Sequence, residues 1–251
     1  MASRSSKPVV LLVHGAWHTP GHYHLLIKAL QAAGHTVIAP PLATAGPSDL
    51  IVGKGVPDDL ARLEEAIGPH IESGKEIILV AHSYGGFPGT YYVKDRTAAE
   101  RKARGLEGGF VAAVYIAAYA PAVAGEQPSR HKPVVGFFDV DVSRLFSTPV
   151  PGSPKVADPN RTTRETLYSL LGGHSGLAFA AEVTVGASEL AVPKTYLVCT
   201  RDDCVPAEFQ REVAEGMGAR VIDIDAGHSP FLVESHVERM VREIGTATER
   251  N

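Results

Sequence analysis

The feature that most constrains the fold is the alternation of short, continuous apolar runs with segments of helical periodicity. Runs rich in valine, isoleucine, leucine and alanine are typical of strands buried on both faces, and they predict six strands at Pro8–His14, His35–Ala39, Glu76–His82, Phe110–Tyr119, Pro193–Thr200 and Arg220–Ile224. Apolar residues at helical spacing predict helices at His22–Ala33, Asp58–Ile71, the stretch after Ser83 towards Lys94, Pro206–Gly216 and Pro230–Ile244. Strands separated by helices predict an α/β protein with a mostly parallel sheet flanked by helices.

Residues 121–190 break this alternation. The segment has clusters of proline, glycine and serine without sheet periodicity, and it carries scattered aromatic residues at Phe137, Phe138, Phe146, Tyr168 and Phe179. Ordinary connections are about 2–6 residues long, so a segment of this length is unusual as a plain loop. We expect a lid inserted into a single domain, with a core formed by residues 1–120 and 191–251 and a helix near Thr162–Leu171. A disordered insertion is the alternative, and the aromatic residues argue against it.

Composition limits the partners of the chain. The 251 residues include 24 Lys and Arg against 28 Asp and Glu, which gives a net charge of −4. This weakly acidic balance argues against binding to nucleic acid or to an anionic membrane, and it favours a small-molecule substrate. We find no run long enough for a membrane helix and no secretory signal pattern. The only cysteines, Cys199 and Cys204, form no disulfide framework. We therefore expect a cytoplasmic protein, and the oligomeric state stays open.

The sharpest local signal is the sequence VAHSYGG, which joins the predicted strand Glu76–His82 to a helix. A serine at such a strand-to-helix reversal sits in a strained turn with its hydroxyl above the sheet. The turn needs small residues two positions before and after the serine, and Ala81 and Gly85 meet that need. The usual pattern has glycine at the first of these positions, so Ala81 is a mild departure. Ser83 is thus the predicted nucleophile.

The sequence HGAW, at the end of the first strand, predicts one half of an oxyanion hole. Acyl transfer needs two N–H donors aimed at the oxygen on which negative charge develops. One donor is expected from Tyr84, directly after the nucleophile, and the other from Ala16 in the loop after an adjacent strand. Gly15 gives this loop freedom to turn its amides inward. Trp17 is a candidate for the substrate pocket. A simple tight turn for HGAW and a core position for Trp17 are the alternatives.

Two further segments predict the partners that activate the serine. Adjacent Asp202 and Asp203 follow the fifth strand, and His228 lies on a turn after the sixth. The order serine, acid, histidine is the one expected on this type of sheet, with each residue at the carboxyl end of a strand. Asp202 is preferred over Asp203 because it lies nearer to the strand end.

Taken together, HGAW, AHSYGG, VCTRDDCVP and AGHSPF resemble the α/β-hydrolase family in order and strand context. The segment YLVCTRDDCVPAEFQ is similar to the branch that contains small methylesterases and hydroxynitrile lyases, and its alignment also selects Asp202. The resemblance implies an α/β-hydrolase fold, a Ser83–His228–Asp202 triad, oxyanion amides from Ala16 and Tyr84, and no cofactor. It implies hydrolysis of an ester or lactone through an acyl-enzyme.

Departures from that branch bear on the chemistry. Its cyanohydrin-cleaving members have threonine where this chain has Gly15, and lysine where it has Ser229. Without the lysine to stabilise a leaving cyanide, esterase chemistry is favoured over lyase chemistry. Two other hypotheses stay open. One is a non-hydrolytic enzyme, such as a carbon–carbon lyase or a biosynthetic cyclase, and the other is a hydrolase-like ligand receptor with negligible turnover.

Histidines near the start of the chain could suggest a metal site, and they are His14, His18, His22 and His24. Their stretch is loop-like and lacks a nearby carboxylate or cysteine, so we predict no metal. His82 adjoins the nucleophile but is expected to diverge from it on the tight turn, and a structural role is predicted for it.

Overall fold

The computed structural model describes residues 7–125 and 169–248. The strands in these ranges are β1 (Val9–Val13), β2 (Val37–Ile38), β3 (Ala45–Gly46), β4 (Glu76–His82), β5 (Gly109–Ile116), β6 (Gly173–His174), β7 (Lys194–Cys199) and β8 (Arg220–Ile224). Six of them form one parallel sheet in the order β2-β1-β4-β5-β7-β8. The predicted mostly parallel sheet of about six strands is confirmed.

Helices cover both faces of this sheet. The helices that the structure describes in these ranges are α1 (His24–Ala32), α2 (Ser48–Ile51), α3 (Val56–Glu72), α4 (Gly86–Val93), α5 (Ala98–Ala103), α6 (Gly176–Phe179), α7 (Ala207–Gly216) and α8 (Glu234–Gly245). Alternation along β1 shows why two layers form, since successive side chains of a strand point to opposite faces. Val9, Leu11 and Val13 pack into a core with α3, α4 and α7, while Val10 and Leu12 pack with α1 and α8.

Element boundaries differ from the predicted ones where turns intervene. The predicted helix at His22–Ala33 is a 3₁₀ turn at Pro20–Tyr23 followed by α1. The last helix is likewise preceded by a 3₁₀ turn at Pro230–Leu232. The strand expected to reach Tyr119 ends at Ile116, because the next residue, Ala117, has φ +42° and leaves the extended conformation.

The lid remains a prediction, because most of it lies outside the described residues. That part includes most of the helix expected near Thr162–Leu171 and four of the aromatic residues, Phe137, Phe138, Phe146 and Tyr168. The described return segment contains β6, α6 and a 3₁₀ turn at Ala187–Glu189. Strand β6 pairs antiparallel with β3, which follows β2, so this segment is fixed to the core. Neither short strand was expected from the sequence.

The turn after β4 lies close to backbone atoms that follow or end the two neighbouring strands, β1 and β5. Ser83 has φ +50°, a strained value for a residue with a side chain. A Cβ at Gly85 would lie 2.3 Å from the Val13 carbonyl oxygen, and one at Gly86 would lie 2.6 Å from the Tyr119 carbonyl oxygen. Both obstacles are backbone atoms that cannot rotate away. The small residue predicted two positions after the serine is therefore required by the approach of β1. Throughout residues 7–125 and 169–248, we find no helix with the length and apolar character needed to cross a membrane.

We predict that Gly85→Ala lowers the free energy of unfolding by about 1–3 kcal/mol, because the added methyl group must push β1 and the turn apart. For a chain of this size that corresponds to a fall in Tm of very roughly 2–12 °C, measurable by calorimetry. Gly245→Ala is the matched control, because nothing lies within 4 Å of a Cβ at that helical position. It should leave stability unchanged or raise it slightly. Equal stability of the two variants would contradict the close approach at Gly85.

Candidate active site

Three side chains from distant parts of the sequence meet at the carboxyl edge of the sheet. Ser83 follows β4, Asp202 follows β7 and His228 follows β8. The Ser83 Oγ lies 2.9 Å from His228 Nε2, and His228 Nδ1 lies 2.7 Å from Asp202 Oδ2. The side chains of His228 and Asp202 have no exposed surface. The structure thus brings together the serine, histidine and aspartate that the sequence predicts as a triad.

The hydrogen bonds fix the role of each nitrogen of His228. A carboxylate accepts hydrogen bonds and cannot donate them, so Nδ1 carries the proton and donates a hydrogen bond to Asp202. Nε2 is then unprotonated and can accept the hydroxyl proton of Ser83. This tautomer is the one that a general base beside a serine requires.

The Asp202 carboxylate is held by three further donors. Its Oδ1 accepts the backbone N–H groups of Cys204 and Val205, each at 2.8 Å, and its Oδ2 accepts Gln210 Nε2 at 3.0 Å. Gln210 is fully buried on α7 and also donates to the Val205 carbonyl oxygen at 2.7 Å. Asp203 is exposed instead. The local fold therefore orients Asp202, and not its neighbour, towards the imidazole.

The loop after β1 lies against the serine. A Cβ at Gly15 would lie 2.9 Å from the Ser83 Cβ and 2.8 Å from His82 Nδ1, so the backbone can come this near only at a glycine. His14 Nδ1–H donates to the Gly15 carbonyl oxygen at 2.9 Å, and His14 Nε2 accepts the Leu42 N–H at 3.0 Å. Burial lowers the pKa of His14 to about 4, so the ring is neutral in neutral solution.

This arrangement determines the direction of the next amide. In a trans peptide the carbonyl and the following N–H point to opposite sides. With the Gly15 carbonyl drawn towards His14, the Ala16 N–H points away from that ring. His18 Nδ1–H holds the Ala16 carbonyl in turn, at 2.8 Å. The Tyr84 N–H lies at the first turn of the segment leading into α4, where amides lack helical acceptors.

Four aromatic rings, among them those of Trp17 and Tyr84, pack against one another. Trp17, at φ +61°, lies 5.8 Å from the ring of His174 and 6.1 Å from that of Phe179. Tyr84 packs edge-on against both, at 4.6 Å and 5.4 Å between ring centroids. Burial lowers the pKa of His174 to about 3, so this ring is uncharged. The Tyr84 hydroxyl donates to the buried carboxylate of Asp59 at 2.8 Å, and burial raises the pKa of that carboxyl.

Several residues of the site carried no recognisable signal in the sequence. Gln210 and Asp59 occupy helix positions where a polar residue is usually solvated, and His174 lies in the irregular segment. Tyr23, whose hydroxyl lies 2.7 Å from His82 Nδ1, is one of eight tyrosines in the sequence. Only the tertiary contacts identify them.

No group of three or more potential metal ligands occurs in the described ranges. All four N-terminal histidines bind backbone groups, and His24 does so through a contact of 3.1 Å between its Nδ1 and the Gly21 carbonyl oxygen. His14 and His18 hold carbonyl groups, and His22 Nδ1 accepts the Thr19 N–H at 2.9 Å.

Comparisons with known proteins agree with this geometry. The model of the alpha/beta hydrolase family matches residues 10–243. An α/β hydrolase of Aspergillus novofumigatus, nvfD, is 28% identical, with 94% of this chain and 96% of that protein covered. Salicylic acid-binding protein 2 of Nicotiana tabacum is 26% identical over 89% of this chain and 91% of its own length.

Among solved structures, an extracellular α/β-hydrolase from a Paenibacillus species is similar with a TM-score of 0.72 and 19% identity. The alignment covers 98% of this chain and all of that one. Its structure was described as sharing structural and functional homology with the tobacco salicylic acid-binding protein 2. Fold, motifs and relatives converge: the sequence is similar to the branch of small methylesterases and hydroxynitrile lyases, and the chain belongs to the α/β-hydrolase family.

Proposed function

We propose that this protein is a serine hydrolase that cleaves a small carboxylic ester or lactone. The observation that carries the proposal is the continuous hydrogen-bonded series from Asp202 through His228 to Ser83, with the proton of the imidazole on the nitrogen that faces the acid. Nothing in this series requires a cofactor. The esterases among its relatives, such as esterase PIR7B of rice, support the same class of reaction.

The proposed mechanism follows from the tautomer of His228. Its Nε2 takes the hydroxyl proton while the Ser83 Oγ attacks the substrate carbonyl carbon. The N–H groups of Ala16 and Tyr84 stabilise the oxyanion. His228 then gives the proton to the leaving alkoxide, which departs as an alcohol and leaves an acyl-enzyme. A water molecule, deprotonated by His228, attacks this acyl group. As the second oxyanion collapses, the bond to the Ser83 Oγ breaks, His228 returns the proton to that oxygen, and the acid is released. Asp202 stays ionised and balances the imidazolium charge.

The substrate is proposed to carry a compact apolar or aromatic group. The packed rings of Trp17, Tyr84, His174 and Phe179 include the residue that follows Ala16 and the residue that carries the second proposed oxyanion amide. Such rings favour flat apolar groups through edge and face contacts. A relative whose name states that it binds salicylic acid, a small aromatic carboxylic acid, is consistent with this size and shape.

Space at Gly15 argues for hydrolysis over cyanohydrin cleavage. The threonine of the cyanohydrin-cleaving members would place its Cβ 2.9 Å from the Ser83 Cβ at this position. The residue after His228 is the buried Ser229, which offers no positive charge to a leaving cyanide. Both observations support an ester or lactone as the substrate.

Substitution of Ser83 and of His228 tests the proposed nucleophile and the proposed base. Ser83→Ala and His228→Ala should each lower kcat for p-nitrophenyl acetate or butyrate by at least about 10³-fold, since either change removes the route to the acyl-enzyme. The assay is steady-state release of p-nitrophenol, with circular dichroism as a check on folding. Full activity in Ser83→Ala would contradict the proposal and favour the non-hydrolytic alternative.

The acid has a matched control in its own neighbour. Asp202→Asn should lower kcat by up to about 10⁴-fold, because an amide no longer selects the productive tautomer of His228. Asp203→Asn changes the same functional group on an exposed side chain and should leave kcat within about twofold. Equal losses in both variants, measured with the same ester, would overturn the assignment of Asp202.

The acyl-enzyme can be observed directly. Mixing the protein with excess p-nitrophenyl ester should release about one equivalent of p-nitrophenol in a burst where deacylation is the slower step, followed by steady turnover. Mass spectrometry of the quenched protein should find the acyl group on the peptide that contains Ser83. A single equivalent with no later turnover, across a panel of short-chain, aryl and lactone substrates, would instead favour the ligand-receptor alternative.

A further inference from the structure

A buried chain of hydrogen bonds passes behind the proposed triad and uses two side chains that the mechanism does not. The Gly15 N–H donates to the Tyr23 hydroxyl oxygen at 2.9 Å, and that hydroxyl lies 2.7 Å from His82 Nδ1. On the other side of the same ring, His82 Nε2 lies 2.8 Å from the His228 carbonyl oxygen. The series therefore runs from the loop after β1, which contains Gly15 and Ala16 and is called the oxyanion loop below, to the loop after β8, which carries the proposed base His228.

The direction of each bond in this series follows from its acceptors. A carbonyl oxygen can only accept, so His82 Nε2 carries the proton and donates a hydrogen bond to the backbone carbonyl oxygen of His228. The other nitrogen of His82 is then an acceptor, and the Tyr23 hydroxyl donates to it. Since the hydroxyl proton is used in this way, its oxygen is left to accept the Gly15 N–H. Every donor in the chain has one acceptor, and no alternative tautomer satisfies all three bonds.

The chain is also buried away from water. Tyr23 and His82 are at most 1% exposed. Phe231 stacks on the Tyr23 ring with 4.1 Å between centroids and meets the His82 ring edge-on at 4.9 Å. Burial lowers the pKa of His82 and raises that of Tyr23, so both groups stay neutral across the range in which esterases are assayed. In such a site a hydrogen bond resists displacement more than it would in water.

The two ends of the chain belong to the parts of the site that must be aligned with Ser83. At one end the Gly15 amide is fixed one residue before the proposed Ala16 donor. At the other end the backbone of the base residue itself is held. His82, in the middle, is covalently joined to Ser83. An error of about 1 Å in such an alignment can cost about 10²-fold in rate.

We propose that Tyr23 and His82 are positioning residues, which hold the oxyanion loop and the His228 loop at fixed distances from the serine turn through this hydrogen-bonded chain. The proposal rests on the proposed hydrolase function. Neither side chain contacts the reacting atoms, so their effect should be on the transition state and not on binding of the substrate in its ground state.

The test of the Tyr23 hydroxyl is Tyr23→Phe, which keeps the ring and its stacking on Phe231. With p-nitrophenyl butyrate we expect kcat to fall about 10- to 100-fold while KM stays within about twofold. Tyr115→Phe is the matched control, because it also removes a fully buried hydroxyl, one that bonds Thr90 Oγ1 at 3.0 Å. It should lower Tm by a similar amount and leave kcat unchanged. Wild-type kcat in Tyr23→Phe, or equal losses of kcat in both variants, would overturn the proposal.

Affinity for a transition-state analogue adds a readout that a purely structural role would not move. An aryl trifluoromethyl ketone forms an oxyanion on Ser83, so its inhibition constant should rise in Tyr23→Phe by about the same factor as kcat falls. The affinity of a non-covalent product acid should be unchanged. A parallel weakening of both ligands would indicate a damaged pocket and would contradict the positioning role.

Variants of His82 test the middle of the chain. His82→Gln supplies an N–H at the position of Nε2 and should keep more activity than His82→Leu, which supplies none. Because Tyr23 and His82 act in one chain, the double variant Tyr23→Phe, His82→Leu should lose less than the product of the two single losses in kcat. Independent, multiplicative losses would contradict a shared chain.

These results are separable from a failure of the proposed function. If Ser83→Ala retained turnover, the hydrolase mechanism itself would be wrong. If Ser83→Ala were inactive while Tyr23→Phe kept its full kcat, the hydrolase would stand and only the positioning role of Tyr23 and His82 would fail.

Discussion

The close approach of two backbones, at the end of β1 and in the turn after β4, is the constraint on which the site depends. Because Gly85 has no side chain, the carbonyl oxygens of Val13 and His14 can lie against the turn after β4. Gly15, in the loop after β1, likewise allows the backbone of that loop to lie close to Ser83. Adjacent parallel strands put these two turns side by side. The surrounding backbone therefore holds Ser83 in its strained conformation. The same close approach brings the loop after β1 beside the serine, and no additional helix or strand is needed for this.

Parallel topology explains why residues so distant in sequence meet. Each strand of the main sheet ends at the same edge, so the loops after β1, β4, β7 and β8 share one side of the molecule. The order of strands then sets which loops are neighbours. The loops that carry Asp202 and His228 follow adjacent strands, which lets the carboxylate and the imidazole form a 2.7 Å hydrogen bond. The histidine reaches back across the sheet to the serine turn.

The sequence predicted the parts of this arrangement that have a local signature. Ser83 is predicted as the nucleophile from the sequence of its turn. The six strands are predicted from continuous apolar runs, because strands buried on both faces do not alternate apolar and polar residues. The preference for Asp202 over Asp203 agrees with the bond to His228. The boundaries of the helices and strands are predicted less accurately. Ala117, for example, is apolar like the strand before it, but its φ of +42° takes the backbone out of the extended conformation.

What the sequence did not predict depends on contacts between distant segments. The pairing of β3 with β6 joins short Gly-containing pieces with no β-sheet pattern of their own. Gln210 looks like an ordinary helix-surface residue until its helix packs under Asp202. Tyr23 gains its meaning from a bond to His82, which is 59 residues away along the chain. Propensity and periodicity are properties of neighbouring residues, so they carry no information about such partners.

The histidines around the site also have a common electrostatic logic. Burial lowers the pKa values of His14, His18 and His82, and each ring forms a hydrogen bond to a backbone carbonyl oxygen. A neutral imidazole can act as a fixed donor without adding a charge next to His228, whose ring lies 4.7 Å from that of His82. Had these rings been cationic, they would have opposed the imidazolium that the proposed mechanism forms, because like charges repel strongly where little water screens them. By keeping its supporting histidines uncharged, the fold leaves positive charge to develop only on the ring that faces Asp202.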